Sequence, residues 1–334
     1  MKHNKITIIF VGIIVLAMFI LFFRPNSKTI LSPLSTAFKK PTTALPRPLD
    51  KFSFNSLSRI SPKPDKIKLE KVISDEQKYT SWLFSFTSNG KKITGMANVP
   101  KTNGPFPAVV MIRGYADKEI YFTGLGTRKA AGILAENGFL TLATDFLGFG
   151  DSDNESEDIL EARFVKPITV LNLIASLENF SSYNGENIFL WGHSNGGQIA
   201  ISILEISGQS FPTTLWAPVT QSFPENVLEY IDPKNVTVES QLVIDRFSKF
   251  LAKYDSKEYD INSYLDKISA PIQIHQGGKD IWVPAKWQEE IVKKLKTLNK
   301  SVDYYYYPLS DHNLKQDWDE VIEKDVEFFS SFLN

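Results

Sequence analysis

Ile188-Phe189-Leu190-Trp191-Gly192-His193-Ser194-Asn195-Gly196-Gly197 runs from an unbroken apolar segment into a serine set between glycines. A short continuous apolar run fits a strand buried on both faces. Gln198 to Ile206 follows with helical composition. A tight strand-to-helix turn of this kind exposes the serine hydroxyl, and glycines are needed at 192 and 196 because larger side chains would collide there. Gly197 adds another small residue where helix and sheet must approach. A serine hydroxyl attacks well at neutral pH only when a neighbouring base takes its proton. Ser194 is therefore the candidate nucleophile; the alternative is an ordinary turn serine.

The base should be a histidine near the end of the chain, with the acid between it and the serine. The chain has four histidines. His3 lies in the N-terminal tail, His193 inside the turn itself, and His275 inside an expected strand. His312 remains, in the loop Ser310-Asp311-His312-Asn313 after the strand Val302 to Tyr307. The acid should follow the penultimate strand, Ile272 to His275. Gly277-Gly278-Lys279-Asp280 supplies it, with Asp311 as the rival. An acid in that place holds the imidazole and stabilises its charged form. Two backbone N–H groups must then meet the developing oxyanion. One is expected from Asn195 and one from Tyr115, in the loop Arg113-Gly114-Tyr115.

Working outward, Tyr79 to Thr87 and Ile93 to Val99 are β-rich runs joined by Ser88-Asn89-Gly90-Lys91, a hairpin signal. Ala108 to Ile112, Phe139 to Thr144 and Thr213 to Ala217 are further strands. Thr127 to Asn137, Asp158 to Phe180 (interrupted at Pro167) and Asp319 to Leu333 are helical. Alternating strands and helices after a hairpin predict an α/β fold with a mainly parallel, doubly wound sheet. Gln221 to about Lys267 breaks the alternation and is expected to be a helical cap over the site. The acidic stretch Asp151 to Asp158 reads as a solvated loop leading into a helix N-terminus, and Tyr304 to Tyr307 as strand packing.

Composition narrows the function. Lys plus Arg is 37 and Asp plus Glu is 38, a net charge of −1 that offers no field for nucleic acid. There is no cysteine, which excludes disulfides, thiolate catalysis and cysteine-based zinc sites. No metal-ligand spacing and no dinucleotide-binding glycine pattern occurs, so neither metal nor cofactor is expected. Residues 1–5 form a short tail. Ile6 to Phe23 is an 18-residue run without charge, long enough to cross a bilayer. It is read as a retained signal anchor making the protein single-pass; a cleaved signal or a buried helix is the alternative. Lys2 and Lys5 favour a cytoplasmic N-terminus and an extracytoplasmic catalytic part, while Arg24, Lys28, Lys39 and Lys40 oppose it. Residues 24–65, with Pro25, Pro33, Pro41, Pro46, Pro48, Pro62 and Pro64, read as an extended linker. The catalytic domain is expected over 66–334, with the cap at 221–267.

Arg113-Gly114-Tyr115, Asp145-Phe146-Leu147-Gly148-Phe149-Gly150-Asp151-Ser152, Gly192 to Gly197, Gly278 to Pro284 and Asp311-His312 resemble, in order, the pattern of the α/β-hydrolase superfamily. Within it the chain is most similar to the catalytic domain of the prolyl oligopeptidase family of serine peptidases, over roughly Lys66 to Asn334. The resemblance implies nucleophile Ser194, acid Asp280, base His312, oxyanion donors Tyr115 and Asn195, and cleavage of short peptides. Well-known members carry a β-propeller ahead of this domain, where this chain has a Pro-rich segment and an apolar run. A carboxylesterase acting on small esters is the second reading. A non-catalytic binding protein on the same scaffold is the third.

Overall fold

The run Ala108–Ile112 shows how the sheet is enclosed. Ala108, Val110 and Ile112 point into one apolar cluster, and Val109 and Met111 into another on the opposite face. A strand with side chains alternating between two dry faces needs helices on both sides. The computed structural model describes residues 47–333. Nine strands are described: β1 (Lys68–Asp75), β2 (Tyr79–Ser88), β3 (Lys91–Pro100), β4 (Phe106–Ile112), β5 (Leu140–Thr144), β6 (Tyr183–His193), β7 (Thr213–Trp216), β8 (Ile272–Gly277) and β9 (Val302–Tyr307). They form one sheet in the order β1-β2-β3-β5-β4-β6-β7-β8-β9. The pairs β1–β2, β2–β3 and β3–β5 are antiparallel, and every later pair is parallel. The Asn89-Gly90 turn joins β2 to β3 with φ of 51° and 79°, the left-handed pair such a hairpin requires.

The longer helices are α1 (Arg128–Glu136), α2 (Ile159–Phe164), α3 (Lys166–Ser176), α4 (Asn195–Ser207), α5 (Val238–Leu251), α6 (Ala285–Thr297) and α7 (Trp318–Ser330). Residues of α3, α4 and α6 fill one face cluster, while α1 and α7 fill the other. This is the mainly parallel, doubly wound sheet that the alternation predicts, and it fits the α/β-hydrolase architecture that the resemblance implies. Strand β4 lies between β5 and β6, so successive connections leave it in opposite directions. In open α/β sheets a ligand crevice forms at such a switch point, at the carboxyl ends of the strands. The loops after β4 and β6 meet there.

Three expectations change in detail. Strand β1 and helix α6 have no counterpart in the reading of the sequence. The expected helix 158–180 is two helices, broken at Val165, with Pro167 in the first turn of the second, where its missing N–H costs nothing. The linker expected over 24–65 is corrected in its second half. Leu49, Phe52, Phe54 and Leu57 are buried in the main core. Phe54 stacks on Tyr264 at 4.9 Å, and Tyr259 donates its hydroxyl to the Leu49 carbonyl at 3.1 Å. Prolines bound this stretch without interrupting its apolar residues, so they do not keep it out of the core.

The insertion at 221–267 contains a helical turn at Glu225–Leu228, α5 and three short 3-10 turns. Its second half is part of the core: Phe247, Phe250, Tyr254, Tyr259, Ile261 and Leu265 are buried. Its first half leaves Tyr230, Val236, Val238 and Leu242 exposed. Arg246 on α5 grips Asp158, the N-cap of α2, through two hydrogen bonds of 3.1 and 2.6 Å. The acidic loop thus leads into a helix N-terminus as read, and also ties the insertion down. The expected anchor at 6–23 lies outside the described residues. Among the described residues no helix is long and apolar enough to cross a membrane.

Candidate active site

Ser194 sits between β6 and α4 with φ of 55° and ψ of −121°, a conformation strained for any residue with a side chain. The surroundings over-determine it. Ser194 N–H donates to the Trp216 carbonyl at 2.9 Å, and its own carbonyl accepts from Gly197 and Val219, each at 3.0 Å. A Cβ on Gly196 would lie 1.9 Å from the Ile112 carbonyl oxygen, and one on Gly192 2.8 Å from that of Gly196. Both glycines are therefore required by close backbone approach, as the spacing predicts.

The loop after β4 passes directly over this turn: a Cβ on Gly114 would meet the Ser194 Cβ at 3.0 Å. Arg113 braces the loop from below. Its guanidinium donates to the carbonyls of Gly114 at 2.9 Å and Asp145 at 3.0 Å, and lies 4.1 Å from the Phe149 ring centre and 4.6 Å from that of Tyr121. Asp145 is buried beneath, accepting from Thr94 (2.6 Å), Tyr121 (2.6 Å) and Thr123 (2.9 Å). Burial pushes its carboxyl up, against those three hydroxyls. The N–H groups of Tyr115 and Asn195 donate to no protein acceptor among the described residues. The Tyr115 side chain is 87% exposed.

On the other side, Asp280 and His312 come together from the loops after β8 and β9. His312 Nδ1 donates to Asp280 Oδ2 at 2.7 Å. The second oxygen of Asp280 accepts from the backbone N–H of Trp282 at 2.8 Å and Val283 at 2.9 Å. Burial pushes this carboxyl up, but the His312 contact and the two N–H groups outweigh it and hold it below the ordinary carboxylate range. Asp311 does not reach the imidazole; its side chain accepts from the N–H groups of Asn313 and Lys315, each at 3.0 Å, and shapes the loop.

Two residues that were given no role in the sequence support this pair. Gln276 donates to Asp280 Oδ2 at 3.2 Å and to the Val283 carbonyl at 3.1 Å. Its own carbonyl accepts from Gln288 at 2.7 Å, and Gln288 in turn accepts from Thr220 at 2.6 Å. All three of Gln276, Gln288 and Thr220 are buried. His193 lies against the candidate base His312, ring centres 4.8 Å apart, and its Nε2 donates to the His312 carbonyl at 3.1 Å. Burial, then the His312 charge, pushes His193 down to about 4, so it is neutral near pH 7 with its proton on Nε2. Glutamines inside strands and helices look like ordinary polar residues in a sequence; nothing in their spacing marks them. His275, expected in the core, is fully buried. It lies with Trp191, Trp216 and Thr214 around Asp325 of α7, and its ring bonds neither Ser194 nor His312.

The geometry leaves the Ser194 hydroxyl and His312 Nε2 without partners among the described residues. Such contacts are commonly open before substrate binds.

Comparison with known proteins agrees with the fold. The chain is 23% identical over 249 residues to the uncharacterized peptidase YtmA of Bacillus subtilis, covering 72% of this chain and 88% of that protein. It is 23% identical over 236 residues to the esterase EstD of Thermotoga maritima, covering 63% and 54%. Among solved structures, the acylaminoacyl peptidase of Pyrococcus horikoshii superposes with a TM-score of 0.60 at 16% identity, over 76% of this chain and 42% of that one. Acetyl xylan esterase 1 of Thermoanaerobacterium gives 0.58 at 16% identity, over 85% and 94%. The family model that matches is the Prolyl oligopeptidase family, over residues 127–334. That match spans more than half of the chain and includes Ser194, Asp280 and His312: the protein is a serine hydrolase and belongs to the prolyl oligopeptidase family.

Proposed function

We propose that this hydrolase works through Ser194, His312 and Asp280, with Tyr115 and Asn195 as oxyanion donors, and that it cleaves short peptides. The observation that carries the reading is the 2.7 Å contact between His312 Nδ1 and the buried carboxylate of Asp280. With its Nδ1 proton directed at Asp280, His312 keeps Nε2 free to accept the Ser194 proton. Ser194 Oγ attacks the acyl carbonyl, and the free N–H groups of Tyr115 and Asn195 meet the oxyanion. His312 returns the proton to the leaving amine, and water then releases the acyl group by the same steps.

An ester substrate is the second reading. Acetyl xylan esterase 1 is covered over 94% of its length, so a domain of this size without a propeller suffices for an esterase. Side-by-side turnover of aminoacyl or dipeptidyl anilides and of p-nitrophenyl esters tests the choice. The peptidase reading expects efficient cleavage of at least one anilide series, and turnover confined to esters would overturn it. Labelling by a fluorophosphonate probe, lost in Ser194→Ala, tests the nucleophile; undiminished labelling of the variant would reject it. A wild-type chain that neither labels nor turns over any substrate would favour a binding protein. We further propose that Ile6 to Phe23 anchors the chain with residues 47–333 outside the cytoplasm. The run has the length and flanking lysines for it. Recovery of the full chain in the soluble fraction would overturn this.

A further inference from the structure

Three of the chain's six tryptophans meet in one cavity beside His312. It holds about 200 Å³. Trp191, Trp216, Trp318 and Leu125 line it, and His193 and Asn313 form its side toward the base. An apolar cavity of roughly 150 Å³ is enough to take up a benzene ring.

The tryptophans are held by a group that takes no part in the proposed chemistry. Asp325 of α7 is fully buried, and its Oδ2 accepts from the indole N–H of Trp191 at 3.1 Å and of Trp216 at 2.8 Å. Its Oδ1 accepts from Thr214 at 2.6 Å and Gln273 at 3.2 Å. The two indoles meet edge to face with ring centres 5.2 Å apart, and Trp216 meets Trp318 in the same way at 6.1 Å. Lys129 Nζ lies 3.2 Å from the centre of the Trp318 ring. Trp191 and Trp216 thus direct their polar edges into the fold, and the surface left for the cavity is aromatic carbon. Rings fixed in advance lose little freedom when a ligand arrives, and they offer the edge and face contacts that another ring prefers.

His193 joins this cavity to the reacting groups. Its ring centre is 4.8 Å from that of His312, and Asn313 directly follows the base. A Cβ on Gly114 would stand 3.0 Å from the Ser194 Cβ and 3.5 Å from His193 Nδ1, so Ser194 and the His193 ring flank the same point of the loop after β4. The cavity therefore lies on the side of Ser194 where His312 hands its proton to the leaving atom.

We propose that this cavity is the leaving-group subsite and that it takes an aromatic ring on the amine or alcohol released in the first step. The bond from the acyl carbon to the leaving nitrogen or oxygen breaks, that atom takes the proton from His312, and the ring departs with it. This rests on Ser194 as nucleophile and His312 as base, and it holds for an amide and an ester alike.

The test fixes the acyl group as the one that the wild type accepts best as a p-nitrophenyl ester or anilide, and compares kcat/KM for its 2-phenylethyl and ethyl esters. Both alcohols are primary and unhindered, so the ratio reads the ring. The full-length chain should prefer the 2-phenylethyl ester by about tenfold or more; Trp318→Ala should remove most of that preference and Trp318→Phe should keep most of it. Should Trp318→Ala not fold, acyl transfer by the wild type serves instead: from the p-nitrophenyl donor, 2-phenylethanol should be acylated about tenfold more often than ethanol at equal concentration. A wild type that labels with the fluorophosphonate yet shows no preference for the ring in either assay overturns the subsite alone. So does a preference that Trp318→Ala leaves unmoved. Absence of labelling and of all turnover overturns the nucleophile and the subsite together.

Discussion

On the β8–β9 flank of Ser194, Asp280 accepts from His312, Gln276, Trp282 and Val283; on the flank formed by the loop after β4 and the start of α4, the N–H groups of Tyr115 and Asn195 have no protein acceptor among the described residues. The first flank is saturated. Each buried donor in the chain Thr220–Gln288–Gln276–Asp280 has an acceptor, so the carboxylate has one low-energy position. A fully satisfied polar network in a dry interior is rigid and specific. The second flank keeps donors that no group among the described residues accepts from. One side of Ser194 is thus built to hold a geometry, the other to receive something. Catalysis needs both, because an orienting group must not move and a binding group must have capacity left over.

The largest effect comes from removing the group between the flanks. Ser194→Ala should lower kcat by about 10⁶-fold with the fold intact, measured on whichever ester or anilide the wild type turns over. Next, the saturated flank can be broken at its centre. Asp280→Asn should lower kcat by about 10⁴-fold, since the imidazole loses the partner that fixes its tautomer. Asp311→Asn should change kcat little, because Asp311 serves its own loop; the reverse order would exchange their roles. One step further out, Gln276→Leu should lower kcat by about tenfold, the scale of one buried hydrogen bond to a charged group. A loss confined to thermal stability, with kcat unchanged, would reduce Gln276 to a packing role.

How much of this could be read in advance depended on whether a signal is local. The Ser194 turn is legible because Gly192 and Gly196 must be small in any chain that folds this way, and the apolar runs beside them mark buried strands. The β2–β3 hairpin is legible for the same reason, through Asn89 and Gly90. The order of Ser194, Asp280 and His312 adds a constraint that chance would seldom meet. Residues 47–60 depart from the expected linker because proline content is a property of a long stretch, whereas Leu49, Phe52, Phe54 and Leu57 act one by one against a core made elsewhere in the chain.

The sequence by itself determined the α/β sheet, the strained serine and the short list of acids and bases. Those features are set by steric limits and periodicity within a few residues of one another. Only the tertiary structure decided that Asp280 and not Asp311 meets His312, that Gln276, backed by Gln288, holds Asp280, and that the N–H groups of Tyr115 and Asn195 are left without protein acceptors among the described residues. Each of those depends on loops from distant parts of the chain arriving at the same strand ends. A glutamine at the end of a strand looks like any polar residue in a sequence; its partners exist only once the other loops and helices are in place.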